Sequence, residues 1–169
     1  MRITITKGER EDRIEATRVD GSSVATSFPH KGSIPHDAVH FYVESVLGLP
    51  DAFWGMVAAG RHPEEVAGIA KAAGHASAKR ASDPDPSIIP ILQAERAVEC
   101  FEADLWSGGD SSAQTMRDTI AAGCAQSLVP ALDVSDEALA EIRAHLADLL
   151  RRWSVAPHGE RLVLDWVPA

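Results

Sequence analysis

Cysteine and long apolar runs are both scarce in this sequence. Only two cysteines occur among 169 residues, Cys100 and Cys124, and they fall in separate segments with helical periodicity. Two cysteines in a chain without an export signal are more typical of small buried hydrophobes than of a disulfide. We therefore expect both thiols to be reduced. No apolar run approaches the length needed to span a bilayer, which disfavours a membrane protein.

Basic charge is also in short supply. The chain has 16 Lys and Arg against 25 Asp and Glu, a formal net charge of −9. Because phosphate binding begins with a basic face, this balance disfavours nucleic acid and anionic membranes as partners. The first residues alternate in polarity and lack the apolar core of a signal peptide. We expect a cytoplasmic protein that binds neither nucleic acid nor membrane.

Several catalytic motifs are missing. The chain has no G-x-G-x-x-G or Walker sequence, which disfavours nucleotide binding, and no G-x-S-x-G turn of the serine hydrolases. The H-E-x-x-H motif of metalloproteases is excluded because Asp37, not glutamate, follows His36. The same His-Asp pair occurs in HD-type metal phosphohydrolases, but their fold is all-helical. Strands precede the pair here, so we reject that resemblance.

The polarity patterns that are present predict an α+β fold. Period-two alternation predicts strands at 2–6, 13–19, 23–28 and 161–167, with a hairpin signal at Asp20-Gly21. Helical periodicity and capping residues predict helices at 36–47, 51–59, 63–80, 88–106, 111–127 and 135–153. The backbone groups of the last strand need partners, which an edge of the N-terminal three-stranded meander supplies.

These elements predict one architecture. We expect a small antiparallel sheet, made of the N-terminal meander and the C-terminal strand, packed against about five helices. The chain length fits a single α+β domain over 1–169. The segment 82–87, which is rich in Ser, Asp and Pro, is interpreted as an internal loop or linker.

The most pointed chemical feature is the run His36-x-x-x-His40-x-x-x-Glu44 at the start of the first predicted helix. Residues four apart lie one above the other on a helix, so the two histidines form a chelating pair and Glu44 extends the row. This pattern predicts a site for zinc or another divalent first-row metal. His30 and Glu99 are further candidate ligands. The alternative is a structural role, with each histidine bonded to a backbone carbonyl or a carboxylate.

A second group of carboxylates lies on the helix predicted at 88–106, at Glu95, Glu99, Glu102 and Asp104. If this helix packs beside the one at 36–47, its carboxylates face the histidines. They would then complete a metal site or raise the histidine pKa values. The alternative is a solvated acidic face, partly neutralised by Arg96.

A third candidate is apolar. Phe53 and Trp54, with Met56, would wall an apolar pocket or simply belong to the core.

The segments 34–44 and 52–60 together resemble a stretch found in a group of uncharacterised bacterial proteins. The similarity covers roughly residues 29–80. No activity is known for that group, so the resemblance implies no function and no residue roles.

Three functions stay open at this point. The leading hypothesis is a small binding protein that holds a metal or a small polar ligand through His36, His40 and Glu44. A second is a hydrolase-like enzyme in which His40 acts as general base or metal ligand. A third is a non-catalytic interaction domain that dimerises or docks a partner through a free sheet edge or the helix at 63–80.

Overall fold

The computed structural model describes residues 1–77 and 83–167. The elements in these ranges are β1 (Arg2–Thr6), β2 (Glu11–Thr17), β3 (Ser23–Pro29), α1 (His36–Val46), α2 (Phe53–Ala58), α3 (Pro63–Ser77), α4 (Ile89–Ser107), α5 (Ala113–Gln126), α6 (Asp136–Trp153) and β4 (Arg161–Asp165). The predicted α+β class is confirmed. The described α-helices number six, one for each predicted helical segment, so the count of about five given for the architecture was one too low.

The four strands form one antiparallel sheet in the order β3-β2-β1-β4. The C-terminal strand pairs with β1, with Leu164 opposite Ile3 and Leu162 opposite Ile5, which confirms the predicted edge pairing. One face of the sheet is buried because these apolar residues recur at every second position. The β2–β3 connection turns at Gly21, whose φ of 84° favours glycine.

Helix α1 has a central position in the helical layer. It packs against α2, α4 and α6, and its Val39 and Val43 are completely buried in the core. Because α1 is surrounded by neighbours, its polar residues Asp37, His40 and Glu44 are also buried. This placement brings the histidine row against the carboxylate-bearing face of α4.

The two cysteines are free and buried. Cys100 lies in α4 and Cys124 in α5, each among apolar side chains of the core. Burial raises the pKa of the Cys100 thiol to about 11. A thiol with so high a pKa is almost entirely protonated at neutral pH, so it is a poor nucleophile.

Two predicted segments extend beyond the described ranges. The last three residues of the helix predicted at 63–80, and Ser82 of the loop predicted at 82–87, lie outside the described residues. From position 83 onward the segment is a loop that leads into a single 3-10 turn, Pro86–Ile88, where Asp85 accepts a hydrogen bond of 2.9 Å from the Ser87 backbone N–H. Within the described ranges, no helix combines the length and apolarity required to cross a membrane.

Candidate functional site

His36 and His40 lie one turn apart on α1, and their rings meet edge to face with centroids 4.8 Å apart. Each ring donates a hydrogen bond from Nδ1 to a glutamate at 2.8 Å. The partner of His36 is Glu102 on α4, and the partner of His40 is Glu44 on α1 itself. Neither of these Nδ1 bonds goes to a backbone carbonyl. Nε2 is therefore the nitrogen that each ring has left for a metal or a ligand.

Glu44 is completely buried and fixes the His40 ring through its hydrogen bond at Nδ1. Its Oε1 accepts the His40 bond and a second bond of 3.2 Å from the Phe53 backbone N–H, while Oε2 accepts one of 2.9 Å from the Trp54 N–H. These two amides begin α2, so Glu44 also satisfies two of the free N–H groups at the start of that helix. Gly55 makes this geometry feasible, because a Cβ there would clash with the Pro50 carbonyl.

A third candidate ligand comes from α4. Oε1 of Glu95 lies 3.5 Å from Nε2 of His40. One donor atom each from His36, His40 and Glu95 lies within 4.8 Å of the other two. The position facing His40 Nε2 is therefore held by Glu95, whereas Glu44, predicted as a ligand, binds the opposite nitrogen of the same ring.

The electrostatics of the His40–Glu44 pair follow from its burial. Burial by itself would lower the pKa of His40, but the hydrogen bond with Glu44 and the charges of Glu95, Glu44 and Asp37 raise it to about 9. Burial raises the pKa of Glu44 as well, and its bonds with His40, Trp54 and Phe53 act in the opposite direction. A metal ion at His40 Nε2 would replace the ring proton there, because a ligating histidine must be neutral.

Asp37 is a feature that sequence reasoning missed. Its side chain is only 8 % exposed and lines the same cavity as the histidines, although the sequence indicated no site role for it. Burial raises the pKa of its carboxyl, and the nearby His36, His40 and Lys31 oppose that rise. Its backbone carbonyl accepts a bond of 2.9 Å from the Trp54 indole N–H, which ties α2 to α1. The site therefore holds a carboxylate that no motif indicated.

A cavity of about 490 Å³ lies against these groups. His36, His40 and Glu95 form part of its lining, so the three donor atoms border a space of the size that small ligands occupy. Helix α4 does pack beside α1, which was the condition for its carboxylates to face the histidines. Glu102 is bonded to His36, and Glu95 lies within ion-pair distance of His40. Glu95 and Glu102 therefore face the histidine row, whereas Asp104 pairs with Arg143 of α6 at 2.8 Å.

The remaining predicted residues are placed differently. The His30 ring pairs with Asp12 at 2.9 Å rather than with the histidine row. Glu99 lines the cavity but pairs with Arg96 at 2.9 Å. Arg96 therefore neutralises this part of the acidic group on α4. Phe53 lines the cavity, whereas Trp54 is completely buried in the core. The aromatic pair is thus divided between a cavity wall and the core.

Comparisons of this chain with protein-family models, with curated proteins and with solved structures found no match.

Proposed function

We propose that this protein binds a divalent first-row metal ion, with zinc the leading candidate, through His36, His40 and Glu95. The observation that carries the proposal is the orientation of the two rings. Each is held at Nδ1 by a glutamate, at 2.8 Å in both cases, and this leaves Nε2 for the metal. Metal-binding histidines commonly have such a carboxylate at the other nitrogen, because it fixes the tautomer and raises the basicity of the ligand.

The donor set suits this chemistry. Imidazole nitrogen and carboxylate oxygen are common zinc ligands, and two histidines with one carboxylate also bind non-haem Fe(II). In a tetrahedral zinc site the ligand atoms lie about 3.4 Å apart when the bonds are about 2.1 Å. The donor atoms here span up to 4.8 Å, so a modest inward movement is required. Glu95 is the ligand best able to move, since its side chain is 19 % exposed.

Titration of chelator-treated protein with zinc tests the proposal. We expect one equivalent of zinc to bind in calorimetry and to raise the unfolding temperature, because a ligand at 100 times its Kd stabilises the folded state by about 2.7 kcal/mol. Fe(II), Co(II), Ni(II) and Mn(II) are titrated in the same way, under anaerobic conditions for iron. The absence of both heat and thermal shift with every one of these ions would refute the proposal.

A metal-dependent hydrolase is the second candidate, and the cavity beside the three ligands favours it. Zinc with three protein ligands keeps a coordination position for water and lowers the pKa of that water to about 7. His40 would then hold the zinc as a ligand, and the zinc would supply the activated water for hydrolysis. A hydrolytic zinc site needs space for water on the metal and access for a substrate. The cavity that His36, His40 and Glu95 line has room for both.

We expect the zinc-loaded protein to hydrolyse an activated ester or phosphoester, such as p-nitrophenyl acetate or bis-p-nitrophenyl phosphate, faster than the metal-free protein does. Glu95→Gln should remove the zinc-dependent part of the rate, since it weakens the ligand set. The Glu141→Gln variant, which changes an exposed carboxylate on α6 outside the cavity lining, is the matched control. Equal rates for loaded and metal-free wild-type protein would count against an enzyme of this class.

A further inference from the structure

The cavity beside the histidine row has an apolar part as well as a polar one. Phe28, Phe53, Ala67 and Ala70 contribute to its lining. Small-molecule sites typically combine such apolar walls with a few placed polar groups. A bare hydrated ion would make no use of the aromatic side chains, so the composition of the wall indicates an organic ligand.

Lys31 brings a cation to this lining from the loop between β3 and α1. The residue is exposed, and its charge acts on the buried Asp37. Among residues 1–77 and 83–167 no carboxylate forms an ion pair with it. The positive charge of its ammonium is thus not neutralised by direct contact with a described carboxylate, and the group can donate hydrogen bonds at the cavity.

Arg96 adds a second cation from α4. Its Nη2 pairs with Glu99, but its Nε is buried and has no hydrogen-bond partner among the described residues. The stem of this side chain rests on Gly123 of α5, where an added Cβ would lie 3.1 Å from the Arg96 Cδ. Close packing against a glycine holds the guanidinium at the cavity, and a buried N–H without an acceptor is costly.

Charge at the site favours an anion only once a metal is bound. Three cationic side chains and three carboxylates line the cavity, and the two glutamates bonded to the histidine rings add two more negative charges. A divalent ion at His36, His40 and Glu95 would offset those two charges. Lysine and arginine side chains at such a site bind carboxylate and phosphate groups.

We propose that the cavity binds a small organic anion, with its carboxylate or phosphate group at the metal ion and within reach of Lys31 and Arg96, and its apolar part against Phe28 and Phe53. This inference rests on the metal site proposed above. It names the class of ligand that the metal site receives, and it assigns Lys31 and Arg96 to ligand recognition rather than to metal binding.

Binding of four probes of similar size to the zinc-loaded protein tests the proposal. Benzoate and phenyl phosphate are the anions, benzyl alcohol is the neutral probe and benzylamine the cation. We expect each anion to bind at least tenfold more tightly than the alcohol or the amine. Lys31→Ala should weaken both anions about tenfold and leave the zinc Kd within twofold, because Lys31 is exposed and is not a zinc ligand. Arg96→Gln should also weaken the anions.

Arg161→Ala, an exposed cation on β4, is the matched control and should change neither affinity. Zinc binding without a preference for anions would overturn the ligand proposal alone, as would an anion affinity unaffected by Lys31→Ala. Failure of zinc to bind would overturn the metal site and the ligand proposal together, so the two failures are distinguishable. A preference for phenyl phosphate over benzoate, or the reverse, identifies which anionic group the site receives.

Discussion

Replacing His40 with alanine is expected to weaken zinc binding more than about 100-fold. Loss of an outer-shell partner costs about 10–100-fold in metal affinity, and this substitution removes a ligand itself. His40 is the ligand with the most constrained position, because its ring is buried, is held by Glu44 at Nδ1 and faces Glu95 at Nε2. Zinc competition with a chromophoric chelator measures the change in Kd.

His40→Ala also leaves the buried Glu44 without its ring partner, so the variant will lose stability as well as affinity. Glu95→Gln separates the two effects. Its side chain is partly exposed and the His40–Glu44 bond is untouched, so the protein should fold normally and bind zinc at least tenfold more weakly. His36→Ala should give a comparable loss.

Two control variants complete this series. Glu99→Gln changes a half-exposed carboxylate one turn further along α4, and His158→Ala changes an exposed histidine near β4. Both should bind zinc within about twofold of wild type, since neither residue belongs to the triad. If Glu95→Gln and His36→Ala also stay within twofold, the three residues do not form the metal site.

Replacing Glu44 with alanine is expected to lower the free energy of unfolding by about 4 kcal/mol, because removing one partner of a buried ionic pair typically costs about 3–5 kcal/mol. The change removes the acceptor for the His40 ring and for the amides that begin α2. It also leaves a space the size of the side chain in a fully buried position. Urea denaturation followed by tryptophan fluorescence measures the loss.

Glu44→Gln keeps the shape but loses the charge. We expect it to cost about 2 kcal/mol, because a hydrogen bond to a charged group contributes about 1.5–3 kcal/mol. Its zinc affinity should fall about 10–100-fold, as for other outer-shell partners. Glu141→Ala, on the exposed face of α6, should stay within about 0.5 kcal/mol of wild type. An effect of Glu44→Ala no larger than that of Glu141→Ala would show that Glu44 has no structural role.

Much of the fold could be predicted from local patterns. The alternation of Ile3 and Ile5 indicates a half-buried strand, and Asp20-Gly21 marks the hairpin that Gly21 forms with positive φ. Periodicity locates each helix because 3.6-residue spacing is a local property. The predicted ends of the strands are less accurate, since β2 begins at Glu11 rather than at 13 and β4 ends at Asp165 rather than at 167. Strand ends depend on which partners are within reach, and neighbours in the chain do not encode that.

The candidate site was predictable only in part. Spacing of four residues placed His36 and His40 on one side of a helix, and it placed Glu44 one turn further on. The same spacing could not show that Glu44 binds Nδ1 of His40 and the start of α2, or that Glu95 faces Nε2. The burial of Asp37 is likewise not predictable from the sequence, because a helix projection does not reveal how many neighbours surround the helix.

The sequence by itself determined the type and order of the helices and strands and the helix that carries the histidine pair, because each depends on patterns within a few residues of chain. Tertiary structure decided which carboxylate lies at which ring nitrogen. Glu102 is 66 positions from His36, and Glu95 is 55 positions from His40, so only the packing of α4 on α1 assigns them. The burial of the α1 site residues also depends on tertiary structure, because α2, α4 and α6 pack around α1. This packing places the histidine donor atoms beside the cavity and in contact with carboxylates.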